Sequence, residues 1–131
     1  MRNGLIVDSD GTKRWYKNDL LHREDGPALE RVDGTKWWWL NDQLHREDGP
    51  AIEYATGDRR WYQNGLLHRV GGPAVTGDGL KVWYYKGKRH RVDGPAIEYD
   101  DGDKYWTING EDIDCKTNEE FLRIVKLKSF W

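Results

Sequence analysis

The chain has 131 residues, 37 % of them hydrophobic, with eight Trp and seven Tyr but only two Phe, and a formal net charge of -2 from 21 basic and 23 acidic residues. That length fits one domain, and so small an apolar share leaves an ordinary globular core short, so large amphipathic rings must supply the burial. The balanced charge excludes an overall electrostatic footprint for nucleic acid or an anionic membrane, and the lone Cys115 excludes an intramolecular disulfide and a cysteine-rich zinc site.

Taken in order, the chain is a repeat. The segment Leu44-His45-Arg46-Glu47-Asp48-Gly49-Pro50-Ala51 recurs with small changes at Leu21 to Ala28, Leu67 to Ala74 and Arg89 to Ala96. Turn glycines fall at Gly11, Gly34, Gly57, Gly79 and Gly102, each followed four residues later by Trp15, Trp38, Trp61, Trp83 or Trp106, which gives a period of 23 with a single 22. The units run over about 4–25, 26–48, 49–71, 72–93 and 94–113.

Each unit holds a short apolar run, an Asp-Gly type turn, a run centred on Trp-Tyr, an Asn-Gly or Asn-Asp turn, and Leu-His-Arg. Asp-Gly tolerates the positive φ of a type I′ hairpin, so we expect a two-residue turn at Asp10-Gly11, Asp33-Gly34, Asp78-Gly79 and Asp101-Gly102. That count sets Ile6 opposite Trp15, Leu29 opposite Trp38, Ile52 opposite Trp61, Ile97 opposite Trp106 and Glu53 opposite Arg60. The eight apolar residues would then form one core face, and the other face would carry Tyr16, Trp39 and Tyr62 among small residues. In the fourth unit the missing residue puts Val75 opposite Val82, and a bulge or altered turn near Gly77 to Gly79 should restore the pattern.

The fifth unit reads Ile113-Asp114 where His-Arg would fall, so the array stops there. Thr117-Asn118-Glu119-Glu120 has capping-box form, and Phe121, Leu122, Ile124, Val125 and Leu127 follow with helical spacing. A helix is expected from about 117 to 127, docked on the Trp face of the last two units and followed by the aromatic tail Phe130-Trp131. The fold class is therefore mainly β: a single-layer, twisted antiparallel meander of hairpin repeats, about ten strands, with a C-terminal capping helix.

Trp61-Tyr62-Gln63-Asn64-Gly65-Leu66-Leu67-His68, with Gly72 and the turn glycines Gly57 and Gly79, resembles the MORN repeat. The likeness is closer to a MORN-like variant carrying H-R-x-D-G-P-A, found in bacterial and phage proteins and related to MORN-type antitoxins. It covers roughly residues 4 to 113 and departs from standard MORN units in its Arg and Pro-Ala. The resemblance implies an elongated scaffold for a protein partner, in the cytoplasm of a bacterium or a phage-infected cell, as a small inhibitor or adaptor.

Two surfaces are candidates for binding. His22, Arg23, His45, Arg46, His68, Arg69, His90 and Arg91 would stack along one rim, about 10 Å apart, where they could grip a nucleotide, RNA or another anion. Repetition in every unit favours packing instead, each pair tying its loop to Asp25, Asp48 or Asp93 of a neighbouring unit. Gly71 replaces that Asp in the third unit and leaves Arg69 as the freest. The second surface is aromatic: Trp37, Trp39, Tyr16, Tyr62 and Tyr84 with Arg14 and Arg60 form an interface for another protein, with Trp37 and Trp39 as its largest exposed spot. The histidines lie too far apart in sequence for one metal centre, and no nucleophile-base grouping stands out. We expect no enzyme, no cofactor and no metal. With no signal-peptide core and no run of about 20 apolar residues, a soluble intracellular protein is expected. The uncapped strand at Leu5 to Val7 leaves a homodimer through the N-terminal edge open.

Overall fold

The computed structural model describes residues 1–127. It is an open antiparallel meander followed by one helix, Asn118–Leu127. A sheet of 12 strands runs through the array. Beside it stand three two-stranded hairpins, in which Trp39–Leu40 pairs Gln43–Leu44, Tyr62–Gln63 pairs Leu66–Leu67 and Tyr84–Tyr85 pairs Lys88–Arg89. Each unit thus contains two hairpins, and at Trp38, Trp61 and Trp83 the tryptophan between them interrupts the strand, which is why the segments outnumber the expected ten.

The two turns of a unit differ. The second turn of each unit has two residues, both at positive φ: Asn18-Asp19, Asn41-Asp42, Asn64-Gly65, Lys86-Gly87 and Asn109-Gly110. At Asp33-Gly34 the loop has three residues instead: the Gly34 N–H donates to the Arg31 carbonyl at 3.1 Å and the Arg31 N–H to the Thr35 carbonyl at 2.9 Å. Gly34, at φ 98°, closes it, and the Asp33 carboxylate accepts the Thr35 N–H at 2.9 Å. Gly11, Gly57 and Gly102 close the same loop.

One extra loop residue moves every pairing by one. Ile6 pairs with Arg14, Leu29 with Trp37, Ile52 with Arg60, Glu53 with Arg59 and Ile97 with Tyr105, so none of the four aliphatic residues opposes a ladder tryptophan as expected. The fourth unit does pair Val75 with Val82, and its turn is the altered one: Asp78-Gly79, at φ 53° and 72°, is a two-residue turn. The deletion shortens the loop without a bulge, and Trp83 stays in step.

Directly paired residues share a face, so the register defines two rows. Ile6, Arg14, Leu29, Trp37, Ile52, Arg60, Val75, Val82, Ile97 and Tyr105 form one, and Val7, Lys13, Glu30, Lys36, Glu53, Arg59, Thr76, Lys81, Glu98 and Lys104 the other. Leu29, Ile52, Val75 and Val82 are buried in the first row, each contributing roughly 1.5–3 kcal/mol. In the unbroken strands Lys13–Lys17 and Lys104–Ile108, alternation puts Trp15 and Trp106 on the face of the second, charged row. The expected single core face is therefore split, with aliphatics on one side and indoles on the other. Ile6, expected in the core, is 37 % exposed because the outer strand Gly4–Val7 has a neighbour on one side only.

The helix begins as expected: the Glu120 N–H donates to Thr117 Oγ1 at 3.1 Å, and the Lys116 N–H reaches back to Glu120 Oε2 at 3.4 Å. It packs on the last unit, where Trp106, Ile108 and fully buried Phe121 form a cluster with Ile113, Cys115 and Val125 against it. It does not take Trp83 as well, whose ring the Arg91 guanidinium covers. Phe130 and Trp131 lie outside the described residues.

Lys86 occupies the first position of a two-residue turn at φ 49°, where the other units of the array carry Asn. Lys86→Asn should stabilise the protein by about 0.5–1 kcal/mol, because Asn tolerates the left-handed region and the turn needs only its backbone N–H. A rise in the urea midpoint at unchanged slope is the expected result.

Candidate functional site

The rim is built the same way four times. Each guanidinium lies over the ring of the tryptophan of its own unit: Arg23 on Trp15 at 4.0 Å, and Arg46 on Trp38, Arg69 on Trp61 and Arg91 on Trp83 at 3.9 Å each, measured from Cζ to the ring centroid. Its Nη1 donates to the carbonyl of Pro27, Pro50, Pro73 or Pro95 at 3.1 Å, which folds the His-Arg loop back on itself. Three of the four also meet two carboxylates. Arg23 pairs with Asp25 and Glu30 at 2.9 and 3.7 Å, Arg46 with Asp48 and Glu53 at 3.5 and 3.3 Å, and Arg91 with Asp93 and Glu98 at 2.9 and 3.3 Å. Since Glu30, Glu53 and Glu98 belong to the charged row, that is the face on which the stacked indoles lie. The aspartates are in the arginine's own loop, two residues on, and not in a neighbouring unit as expected.

The histidines make the link between units. Nδ1 of His22, His45, His68 and His90 accepts the backbone N–H of Asn41, Asn64, Lys86 and Asn109, the first residue of the next unit's two-residue turn, at 2.9 to 3.0 Å. A nitrogen that accepts carries no proton, so each ring is held as the Nε2–H tautomer. That Nε2 meets Glu24 Oε1 at 3.3 Å in the first unit and Glu47 Oε1 at 2.8 Å in the second. The third and fourth units have Val70 and Val92 there, and His68 instead lies against Tyr85 with the rings tilted by 49° and centroids 4.7 Å apart. Burial holds the His90 imidazole below its ordinary value.

On the opposite face Arg14, Trp37 and Arg60 share the aliphatic row, and Tyr16 follows Arg14 on the same side of one strand. Trp39, Tyr62 and Tyr84 occupy the position equivalent to Tyr16, paired with Leu44, Leu67 and Arg89 as Tyr16 is with Leu21. All seven are half-buried. Trp37 and Trp39 therefore do not form the exposed spot expected of them, because each stands in a row flanked by the next strand's side chains, and both Nε1 atoms are buried without a hydrogen-bond partner. Burial raises the Tyr62 phenol, whose charge neighbours include Tyr84 and Arg60. Arg60 also lies 5.5 Å from the Tyr54 ring centroid.

No family model matches the chain, and no curated protein does. Its surfaces must be read from their own chemistry. Cys115 is half-buried beside Trp106, and burial pushes its thiol up, away from the thiolate a nucleophile needs. Among the described residues no group of three His, Cys, Asp or Glu could hold a metal ion, and no helix is long and apolar enough to cross a membrane. The contacts that sequence reasoning missed are the Arg-Trp stack, the His-turn bond and the Glu seven residues after Arg23, Arg46 and Arg91. The last was visible as a spacing repeated in three units.

Two outcomes follow from this packing. Arg46→Lys should lower stability by about 1–2 kcal/mol in chemical denaturation, because an ammonium cannot stack on Trp38 while donating to both Pro50 and Glu53. For His90, the unfolded chain takes up a proton near the ordinary imidazole value of about 6.5, while the folded chain, held below it by burial, resists. The stability it contributes is complete above that pH and is lost as the pH falls below it. The urea midpoint should fall between about pH 7.5 and 5.5, and less steeply in His90→Gln, whose amide oxygen can accept the Asn109 N–H without titrating.

Proposed function

We propose that the chain is a non-enzymatic protein-binding module that presents its Tyr- and Trp-rich face to another protein. The observation that carries this is that the five aromatic rings and two arginines of the face are half-buried by their own neighbours alone, since the sheet is a single layer and its one described helix packs at Trp106. Rigid rings, two flanking guanidiniums from Arg14 and Arg60, and little side-chain entropy left to lose are what a protein interface uses. A protein partner is favoured over an anion along the rim because the guanidiniums there are stacked, bonded to proline carbonyls and, in three units, already paired with two carboxylates each. The likeness of the repeat to MORN-like units supports a scaffold, inhibitor or adaptor role in a bacterial or phage-infected cytoplasm. The outer strand Gly4–Val7, with Leu5 and Val7 exposed, offers a further edge for self-association.

Tyr62→Ser and Tyr84→Ser together should abolish capture of the partner while leaving tryptophan fluorescence near that of the wild type and the thermal transition cooperative, at a midpoint lower by several degrees. Capture by the wild type should persist as salt rises from about 0.05 to 0.3 M. Steep loss over that range, with the double variant still binding, would instead assign the interaction to phosphate or another anion on the rim.

A further inference from the structure

One unit breaks the charge pattern of the rim. Arg69 keeps its stack on Trp61 at 3.9 Å and its bond to the Pro73 carbonyl at 3.1 Å. Both carboxylate positions around it are vacated: Gly71 stands where the other units have Asp25, Asp48 and Asp93, and Thr76 where they have Glu30, Glu53 and Glu98. Among the described residues Arg69 pairs with no carboxylate. In the charged row Thr76 lies between Arg59 and Lys81, so the one place where a glutamate is missing is bounded by three cations. Each equivalent glutamate is likewise bounded by an arginine and two basic strand neighbours, for Glu53 these being Arg46, Lys36 and Arg59.

The same unit has lost its acidic loop. Val70, 78 % exposed, replaces the glutamate that meets His22 or His45, and Val92, 53 % exposed, does so one unit later. Together with Arg69, Gly71 and half-exposed Tyr85 they line a groove of about 380 Å³ between the third and fourth loops, whose one carboxylate, Asp93, is paired with Arg91 at 2.9 Å. The equivalent groove between the first two loops is lined by Glu24, Asp25, Glu47 and Asp48. Of the four rim loops, the third alone sets a guanidinium without a carboxylate beside exposed aliphatic and aromatic surface.

We infer that this stretch is a docking site for an extended segment of a protein partner that carries a glutamate or aspartate beside a large apolar side chain. The carboxylate takes the place of the missing Glu and Asp around Arg69, flanked by Arg59 and Lys81, and the apolar side chain lies in the groove against Val70, Tyr85 and Val92. A carboxylate is the right occupant because this repeat's own solution, used three times over, is to put carboxylates there. The site lies on the indole side of the sheet, so it stands or falls separately from the aromatic face.

The test uses the whole chain, labelled with nitrogen-15 and at its valine methyls, titrated with acetyl-Leu-Glu-Leu-amide and with its glutamine twin. The glutamate peptide should move the Arg69 Nε–H signal and the Val70 and Val92 methyls in one saturable process and leave Arg46 still. The glutamine peptide should bind at least about tenfold more weakly. Thr76→Glu, which supplies the missing acid from within, should abolish the Arg69 shift and keep or raise the thermal midpoint. That variant separates occupancy of the slot from loss of fold, which Arg69→Ala alone would not. Equal binding of both peptides, retained binding in Thr76→Glu, or no saturable shift up to about 10 mM peptide would overturn the proposal. So would an Arg69 shift that plain acetate reproduces in full with the methyls unmoved, which would mark a bare anion slot.

Discussion

The contact on which the array depends is the guanidinium laid across each indole. A single-layer sheet leaves both faces to water unless side chains of the layer itself cover them, and four large indoles on one side would be an apolar stripe of the kind that aggregates. Arginine solves this with one residue: its plane covers the ring, its nitrogens reach the proline carbonyl that shapes the loop, and its charge stays near water. Each stack is worth about 0.5–2 kcal/mol by itself. Its larger effect is to hold the loop that carries the histidine.

That histidine makes the chain a cooperative array and not a string of hairpins. The tryptophan N–H donates to the alanine carbonyl of the following unit, as Trp38 does to Ala51 at 2.7 Å, while its own carbonyl accepts from the histidine N–H, as from His45 at 3.1 Å. The ring Nδ1 then caps the next turn. Stability therefore resides in the joints between units, and the last unit needs a substitute because no unit follows. There Phe121 lies against Trp106 at 6.3 Å between centroids, and Asn118 Oδ1 accepts the indole N–H at 3.1 Å. The helix fills the role of the absent arginine, which explains why the array can end where Ile113-Asp114 replaces His-Arg.

Much of this was legible in the sequence. The period, two turns per unit, the meander, the helix and its Thr117-Glu120 cap all follow from residue type and spacing. The register did not, because Asp-Gly suits both a two-residue turn and a three-residue loop ended by a left-handed glycine, and a difference of one residue exchanges the faces of every aliphatic side chain. The fourth unit held the clue: its shorter turn reaches the same register, so the others must carry an extra loop residue. The seven residues expected to form the aromatic surface stand on one side of the sheet, but the burial of Trp37 and Trp39 depends on neighbours in adjoining strands that no local pattern reveals. The rim was ambiguous for a different reason. Histidine and arginine recurring in every unit serve packing as well as binding, and only the partners of each nitrogen decide between them.

Where a motif is repeated for packing, information about binding must lie in its departures from the repeat. The stack and the proline bond are kept in all four units, including the third, so those contacts are what the fold requires. The carboxylates are kept in three, and their loss at Gly71 and Thr76 leaves the strand pairing intact, with Thr76 still between Arg59 and Lys81. Packing alone gives no reason to leave one guanidinium without a counter-charge beside two exposed valines, since the sequence supplies the acid elsewhere at the same positions. A departure that costs electrostatic balance and exposes apolar surface, yet spares the indole stack, the proline bond and the strand pairing, is what a recognition site set into a scaffold requires.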